Sequence, residues 1–524
     1  MILLRSLLLI LVLLFFIFLI VVPVRFVIRL QRRKKRLLKY VGHLPSTEGL
    51  PIIGSGLRFV WKNSEEVMKD CIEFMSSHKT PFYAWIGRYL LIVVDNPDDA
   101  YTVLTSKSCM EKSATYKFFK RVGLLTAPVH IWKPMRKLLN SAFNLRILQS
   151  FVPVFNEKST YLIKNIDRQV GEGTFDILKL LHSCTLDMIC STTLGVNLDS
   201  QSGKNGDYLY AWKTVLALIC KRMVNVFHYS DFIYKRSKEF QMEQKYNEAM
   251  DALPQKIIEQ KKEEYFVENP THLPEELPDA NEDDDGLAYD KPQIFINKLF
   301  RLYGRKGIDE KGIRDQVNMM IFAGNDTSAL TTAHAILLLA MHPDIQQRAA
   351  EEVDQVCEDI PMGAPLTYNH VTKLVYVEQV LYEAMRLYPI APYIFRLCQA
   401  DTKISKCTIP RGTTVAVSVY DMHRKPEIWA RPNDFHPDHF HPDEVRNRNP
   451  NSFAAFSLGP RNCIGMQYGK ISMKIMVAMM LRHFRFSTHL KMSDIRPKIE
   501  ITLKLACGDL VQVERRCKME KTPR

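Results

Sequence analysis

A chain of 524 residues with 46% hydrophobic content can bury a large core, and no Gly/Ser linker, repeat or heptad divides it, so one large domain is expected after an N-terminal segment. The net charge is +14, but residues 1–47 hold nine Lys/Arg and no acid, so the basic excess is a local cluster rather than a face, which argues against nucleic-acid binding. The eleven cysteines are odd in number, irregular in spacing and never paired as CxxC, which argues against a disulfide framework or a structural zinc site.

Residues 7–24 run for eighteen positions without a charge, with Pro23 near the end. About 20 apolar residues cross a bilayer as a helix, so this run predicts a single transmembrane anchor. The cluster Arg32-Arg33-Lys34-Lys35-Arg36 follows it and predicts a cytosolic body with a lumenal N-terminus. A cleaved signal peptide would carry its charge before the run and small residues at a cleavage site after it; here the heavy charge follows the run and no A-x-A-like site appears. The expected organisation is an anchor over 1–30, a basic and proline-containing linker over 31–54 (Pro45, Pro51, Gly54) and a body over 55–524.

Apolar residues at three- and four-residue spacing predict helices over 62–80, 129–171, 173–199 and 205–265. Residues 265–291 are acidic and broken by Pro270, Pro274 and Pro278, as in a surface loop. A long helix is predicted from Asp309, a suitable N-cap, to Met341, before Pro343. At ~1.5 Å per residue it would be about 50 Å long and would have to cross the middle of the domain. A helix over 372–388 ends at Pro389, a strand is predicted near Thr413–Val419, a His- and Pro-rich meander covers 421–450, and a last helix runs from Gly465 to Phe484. The expected fold class is mainly α with a small β part.

Phe456-Ser-Leu-Gly459-Pro-Arg461-Asn-Cys463-Ile-Gly465 lies just before that last helix. A lone cysteine would be read as a buried core residue. A thiolate metal ligand needs donors and positive potential around it. Gly459 and Gly465 allow a tight loop with N–H groups turned to the sulfur, the helix start offers its positive end, Arg461 can bind an anionic group, and Phe456 can exclude water. Within the long helix, Ala323-Gly324-Asn325-Asp326-Thr327 puts Met320, Ala323, Gly324 and Thr327 on one face. Gly324 would let a flat ligand approach, and Asp326 with Thr327 could pass protons; the alternative is a mid-helix polar pair bonded to backbone carbonyls. Glu383-Ala-Met-Arg386 is an i,i+3 ion pair, worth only ~0.2–0.5 kcal/mol if it lies on a surface.

The pattern F-x-x-G-x-R-x-C-x-G resembles the cysteine-ligand signature of the cytochrome P450 superfamily. The resemblance extends to Ala323–Thr327 as the A-G-x-D/E-T motif, to Glu383/Arg386 as the E-x-x-R pair, and to Trp132-Lys-Pro-Met-Arg136 as W-x-x-x-R. It implies a cytochrome P450 fold after the transmembrane helix, and a haem bound through Cys463, with Trp132, Arg136, Arg396 and Arg461 at the propionates. It also implies proton delivery by Asp326 and Thr327, and a scaffold triad whose third member, usually Arg, is here His439 in Pro437-Asp438-His439-Phe440. Pro134 suits a first helical turn, so that helix is expected to start near Lys133. The histidines of the meander (423, 436, 439, 441) are read as loop residues rather than a metal site.

Gly123–Phe143 and Phe456–Gly465 look most like the microsomal family 4 branch, with its many insect members. Some of that branch esterify haem through a Glu where Ala323 stands here, so non-covalent haem is expected. The resemblance implies a monooxygenase acting on an apolar substrate (fatty acid, hormone-like lipid or xenobiotic), with Phe322, Ala323, Ile390, Ala391 and Tyr393 as pocket residues. It further implies an endoplasmic reticulum location, and electrons from an NADPH-dependent flavoprotein reductase, with cytochrome b5 as a second donor. Lys133, Lys137 and Lys470 are docking candidates. A haem-thiolate isomerase or dehydratase and a non-enzymatic haem- or ligand-binding protein remain as alternatives; retention of Asp326, Thr327, Cys463 and Glu383 argues against both.

Overall fold

A computed structural model describes residues 2–47, 49–50, 53–268, 294–301, 303 and 308–516. The expected acidic loop lies largely outside these residues. The molecule is built around the helix Glu310–Met341, referred to below as the central helix. Asp309 caps it, its carboxylate accepting from the Gly312 N–H at 2.7 Å, and Pro343 opens the next helix, Pro343–Val356. Leu330, Ala333, Ile336, Leu337 and Leu338 are fully buried, so the C-terminal half of this helix is enclosed by the body. It packs against Ile177–Ile189, Val375–Leu387 and Met466–His483.

The β part is small. Its main sheet has four strands in the order Phe82–Ile86, Tyr89–Val94, Thr414–Ser418, Tyr393–Leu397. The first two form an antiparallel hairpin turning at Gly87 (φ +56°), the second and third run parallel, and the last pair is antiparallel. This hairpin is absent from the sequence expectation. Tyr83, Trp85, Leu90, Ile92, Phe82 and Val93 are all buried, so both faces are covered and the polar–apolar alternation that marks a strand is lost.

Two helical expectations change. Residues 205–265 break into the helix Gly206–Val224, the single-turn helix Asp231–Tyr234 and the helix Lys238–Glu268, because Asn225 leaves helical geometry (φ −88°, ψ 102°) and its side chain caps a short turn at Phe227. The Trp132 helix starts at Val129, whose N–H is capped by Glu111, and carries Pro134 in its interior. The carbonyl that Pro134 cannot bond belongs to His130, which is exposed, so water can replace the missing N–H.

The N-terminal helix Ile2–Val41 docks its end on the body through Leu30, Leu37 and Val41, with Lys34 over the Trp85 ring at 4.7 Å. Among the described residues no helix is long and apolar enough to cross a membrane. The expected span is therefore not met there, because the side chains of 8, 9 and 12–14, which belong to the run 7–24, fall outside the described residues.

Candidate active site

Between the central helix and the cysteine loop lies an apolar cavity of about 550 Å³, bounded by Phe322, Ala323, Ile390, Ala391 and Tyr393 among others. All five expected pocket residues line it. Phe322 stacks on Trp212 at 5.0 Å, which stiffens one wall.

Cys463 opens onto this cavity while protein surrounds it. Its N–H donates to the Phe456 carbonyl at 2.9 Å, and the Asn462 N–H donates to Gly459 at 3.0 Å, closing a tight loop. Gly459 has φ +70°, and a Cβ there would meet the Leu104 carbonyl oxygen at 2.5 Å, so only glycine fits. Gly465 has an ordinary φ of −89°. Its contribution is its N–H, which faces the sulfur, and a Cβ would lie no closer to Sγ than 4.0 Å. Burial pushes the Cys463 thiol up, while the Gly465 N–H and the Arg136 guanidinium oppose this. A bound cation beside the sulfur would complete that balance in favour of thiolate.

One rim of the cavity gathers cations. Arg396 is 1% exposed, and among the described residues its Nε has no partner; Arg461 donates from Nη2 to the Ala127 carbonyl at 2.8 Å, while its buried Nε and Nη1 likewise find no partner among the described residues. The Arg461 guanidinium lies 4.6 Å from the centre of the Trp132 ring. Lys112 joins them; burial and then the charges of Arg396 and Arg461 push its pKa well down. Burial and Arg396 likewise lower Arg461 to about 10. Such a trio is unfavourable alone and suits an anionic ligand with several acceptors, as paired carboxylates are. Lys112 was not anticipated, because it sits in a loop without periodicity and acquires meaning only through its neighbours in space.

Arg136, expected at the same rim, instead holds the cysteine loop. It donates to the Asn462 backbone carbonyl (2.6 Å) and side-chain oxygen (2.9 Å), and to Asn140 (2.8 Å).

On the central helix, Ala323, Gly324 and Thr327 line the cavity as their spacing predicts. Thr327 Oγ1 donates to the Ala323 carbonyl at 2.7 Å. Gly324 does not serve ligand approach alone: a Cβ there would lie 2.4 Å from Ile189 Cδ1, so the missing side chain admits the neighbouring helix. Asp326 does not share Thr327's outlook. It is 5% exposed and turned away, accepting from Thr502 Oγ1 at 2.8 Å, with His182 Nε2 3.8 Å from its other oxygen. The angular offset of adjacent helical residues, about 100° each, puts neighbours 326 and 327 on different faces.

Glu383 and Arg386 are both fully buried, not surface partners. Two parallel bonds of 2.7 Å join them, and Arg386 also donates to the carbonyls of His423, Pro432 and Asp434. His439 Nδ1 lies 3.0 Å from Glu383 Oε1, and its Nε2 faces the Ala430 carbonyl. Both ring nitrogens thus face oxygen atoms. The imidazole takes the place of a guanidinium in the triad. Of the docking candidates, Lys133 and Lys137 are exposed, but Lys470 is bound to Glu378 at 2.6 Å, so its charge is neutralised locally.

An apolar cavity with a thiol at one side, donors around that thiol and a cationic rim is a receptor for a flat metal macrocycle bearing carboxylates. The family model for cytochrome P450 matches residues 44–506. Curated relatives include Cytochrome P450 4c21 of Blattella germanica, 30% identical over 495 residues, covering 91% of this chain and 93% of the relative. Cytochrome P450 4d1 of Drosophila melanogaster is 29% identical over 460 residues (86% and 88%), and human Cytochrome P450 4V2 is 26% identical over 475 (89% and 88%). The chain belongs to the cytochrome P450 family and is similar to its family 4 members, insect ones among them. It is accordingly a P450 monooxygenase, an oxidoreductase with non-covalent haem held by an axial cysteine thiolate.

Proposed function

We propose that this chain oxidises an apolar substrate, a fatty acid, hormone-like lipid or xenobiotic, while anchored in the endoplasmic reticulum membrane by residues 1–30. Residues 31–54 link the anchor to the haem-thiolate domain over 55–524. The observation that carries the reading is Cys463 opening onto an apolar cavity whose opposite wall holds Thr327 and whose rim holds Lys112, Arg396 and Arg461.

Cys463 is the iron ligand, kept in place by the Phe456 carbonyl and by Arg136 through Asn462. Lys112, Arg396 and Arg461 hold the propionates, with Trp132 backing Arg461. Bound haem supplies O2 activation by two electrons and insertion of one oxygen atom into the substrate. Thr327 holds a cavity water at its hydroxyl and orients a proton toward the reacting centre. Glu383, Arg386 and His439 fix the meander beneath the cysteine loop. Phe322, Ile390 and Ala391 exclude water and favour an apolar chain.

An NADPH-dependent flavoprotein reductase, with cytochrome b5 as a second donor, delivers electrons at a face carrying Lys133 and Lys137. The membrane assignment is supported by Phe15, Phe16, Phe18, Leu19 and Ile20, which are each 50–64% exposed on the N-terminal helix.

The test is the carbon monoxide difference spectrum of the reduced, membrane-expressed protein beside Cys463→Ala, with Thr327→Ala assayed in parallel. A strongly red-shifted Soret band that the cysteine variant loses, and NADPH consumption with hydrogen peroxide release in the threonine variant, are expected. A histidine-type band in well-folded wild type would overturn the thiolate assignment, and unchanged coupling in Thr327→Ala would overturn the proton role.

A further inference from the structure

Two cysteines far apart in the chain meet behind the cationic rim. Cys109 ends the short helix Lys107–Cys109, and Cys398 directly follows the strand Tyr393–Leu397. They are 289 positions apart in sequence, yet their Sγ atoms lie 2.7 Å from each other, closer than two unbonded sulfurs rest, whereas a disulfide bond measures ~2.0 Å. Both side chains are buried, and neither belongs to the cysteine loop.

The backbone imposes this meeting. The Leu397 N–H donates to the Glu111 carbonyl at 2.8 Å, and the Gln399 N–H donates to the Ser108 carbonyl at 2.8 Å, so a bond on either side of the pair joins the two segments. On its other edge Cys398 donates to the Thr413 carbonyl at 2.9 Å and accepts from the Gly412 N–H at 2.7 Å. The segments cannot separate without breaking buried backbone pairings.

The chemistry of Cys109 differs from that of its counterparts. The hydrogen bond from Cys398, with Thr402 and the Arg396 guanidinium, outweighs burial and holds the Cys109 thiol below its ordinary value. The same contact, then burial, pushes Cys398 up, and burial pushes up Cys71, Cys184, Cys190 and Cys220. Thiolate is the nucleophilic form, so Cys109 is the sulfur suited to attack and Cys398 the one suited to follow.

The pair is placed to act on the rim. Lys112 lies just beyond Cys109 and Arg396 just before Cys398, and both line the cavity. Between them Glu111 accepts from the Val129 N–H at 2.9 Å at the start of the Trp132 helix. Resting on the monooxygenase reading above, we propose that Cys109 and Cys398 are a modification site, where hydrogen peroxide forms a disulfide that ties the Lys112 loop to the Arg396 strand and slows haem loss.

The steps balance. The Cys109 sulfur attacks one peroxide oxygen and the O–O bond breaks. The other oxygen leaves as hydroxide and takes the proton that Cys109 gave up, forming water, while Cys109 becomes a sulfenic acid. The Cys398 sulfur then attacks the Cys109 sulfur, the S–O bond breaks, and that oxygen leaves with the Cys398 proton as a second water. Two thiols lose two electrons and one peroxide gains them.

The test uses the full-length holoenzyme, wild type and Cys398→Ser, given a brief dose of hydrogen peroxide that catalase then removes. Thiols are blocked in denaturant, and the digest is examined by mass spectrometry with and without reduction. A peptide pair joining Cys109 to Cys398 is expected in treated wild type, absent before treatment and lost on reduction. In Cys398→Ser, Cys109 is expected to stop at sulfenic acid, trapped by dimedone. Haem transfer to an acceptor apoprotein is expected to slow roughly threefold or more in treated wild type and not in treated Cys398→Ser. Failure to form the link, or a link already complete before treatment, would overturn the peroxide step; a link that leaves the transfer rate unchanged would overturn the clamp. Wild type without a red-shifted carbon monoxide band would instead overturn the haem-thiolate reading, since the link is read by mass whether or not haem is held.

Discussion

Replacing His439 by leucine isolates what an imidazole contributes where the family's resemblance calls for arginine. Leucine keeps an apolar body against Trp429, whose ring centre is 5.7 Å from the imidazole, but removes both polar contacts. Glu383 loses a bond of 3.0 Å to a charged acceptor, worth about 1.5–3 kcal/mol, whereas Ala430 is exposed and its carbonyl can turn to water. New apolar burial by leucine offsets part of this, of the order of 1–2 kcal/mol. The net expected destabilisation is about 1 kcal/mol, or a thermal midpoint lowered by roughly 1–2 °C in a body this large. Glu383→Gln should be worse, at about 3–5 kcal/mol, because Arg386 then keeps a fully buried charge with no counter-ion. His439→Arg restores a donor and should stay nearer the wild type. The assay is thermal unfolding of the holoprotein, followed by tryptophan fluorescence and by the Soret band at one scan rate. A His439→Leu midpoint equal to wild type, or lower than that of Glu383→Gln, would refute the view that the imidazole completes the triad.

Three further outcomes follow from other parts of the structure. Lys112→Met should speed haem transfer to an acceptor apoprotein by about tenfold, equivalent to roughly 1.4 kcal/mol, since it removes one of three cations at the cavity rim; an unchanged transfer rate would remove Lys112 from the propionate site. Gly324→Ala sets a Cβ 2.4 Å from Ile189 Cδ1 and should cost about 1–3 kcal/mol, with Ile189→Ala in the same chain restoring much of it; if the second change brings no recovery, the clash is not the cause.

The last outcome concerns pH. Burial pushes the Glu378 carboxyl up, but Lys474 and Lys470 more than reverse this and bring it to about 2, against an ordinary 4.5. A depressed folded-state value stabilises above the unfolded value and is lost as pH falls from about 4.5 toward 2. Wild type should therefore exceed Glu378→Gln in stability at pH 7, with the gap closing below about pH 4.5. Unfolding midpoints compared from pH 7 to pH 3 check this, and a gap that does not change with pH would contradict it.

Some of this was legible in the chain because the signal is local. The central helix declares itself through Asp309 and Pro343, which act on backbone groups within a turn, and the structure ends it within a residue of the expected limits. The cysteine loop is legible because a tight turn needs Gly459 in a backbone geometry other residues resist, and a ligand needs Cys463 between such turns. Glu383 and Arg386 could be found as a pair, but their full burial could not, since burial is a property of what packs around them.

What only the tertiary structure decided depends on residues far apart in sequence. Pro134 suggests a helix start by local rule, yet the exposed position of His130, where water can serve the carbonyl, lets the helix pass through it. Arg136 is aimed by Asn462 rather than by its own motif. Asp326 sits next to Thr327 in sequence and faces away from it in space, toward Thr502 and His182. Lys112 is one lysine among many until Arg396 and Arg461 arrive beside it. Backbone preferences and short spacings are fixed by neighbours along the chain, whereas electrostatic partners are fixed by long-range packing. The sequence alone therefore determined the haem-thiolate class of this protein, and the folded structure determined which charges and protons surround its site.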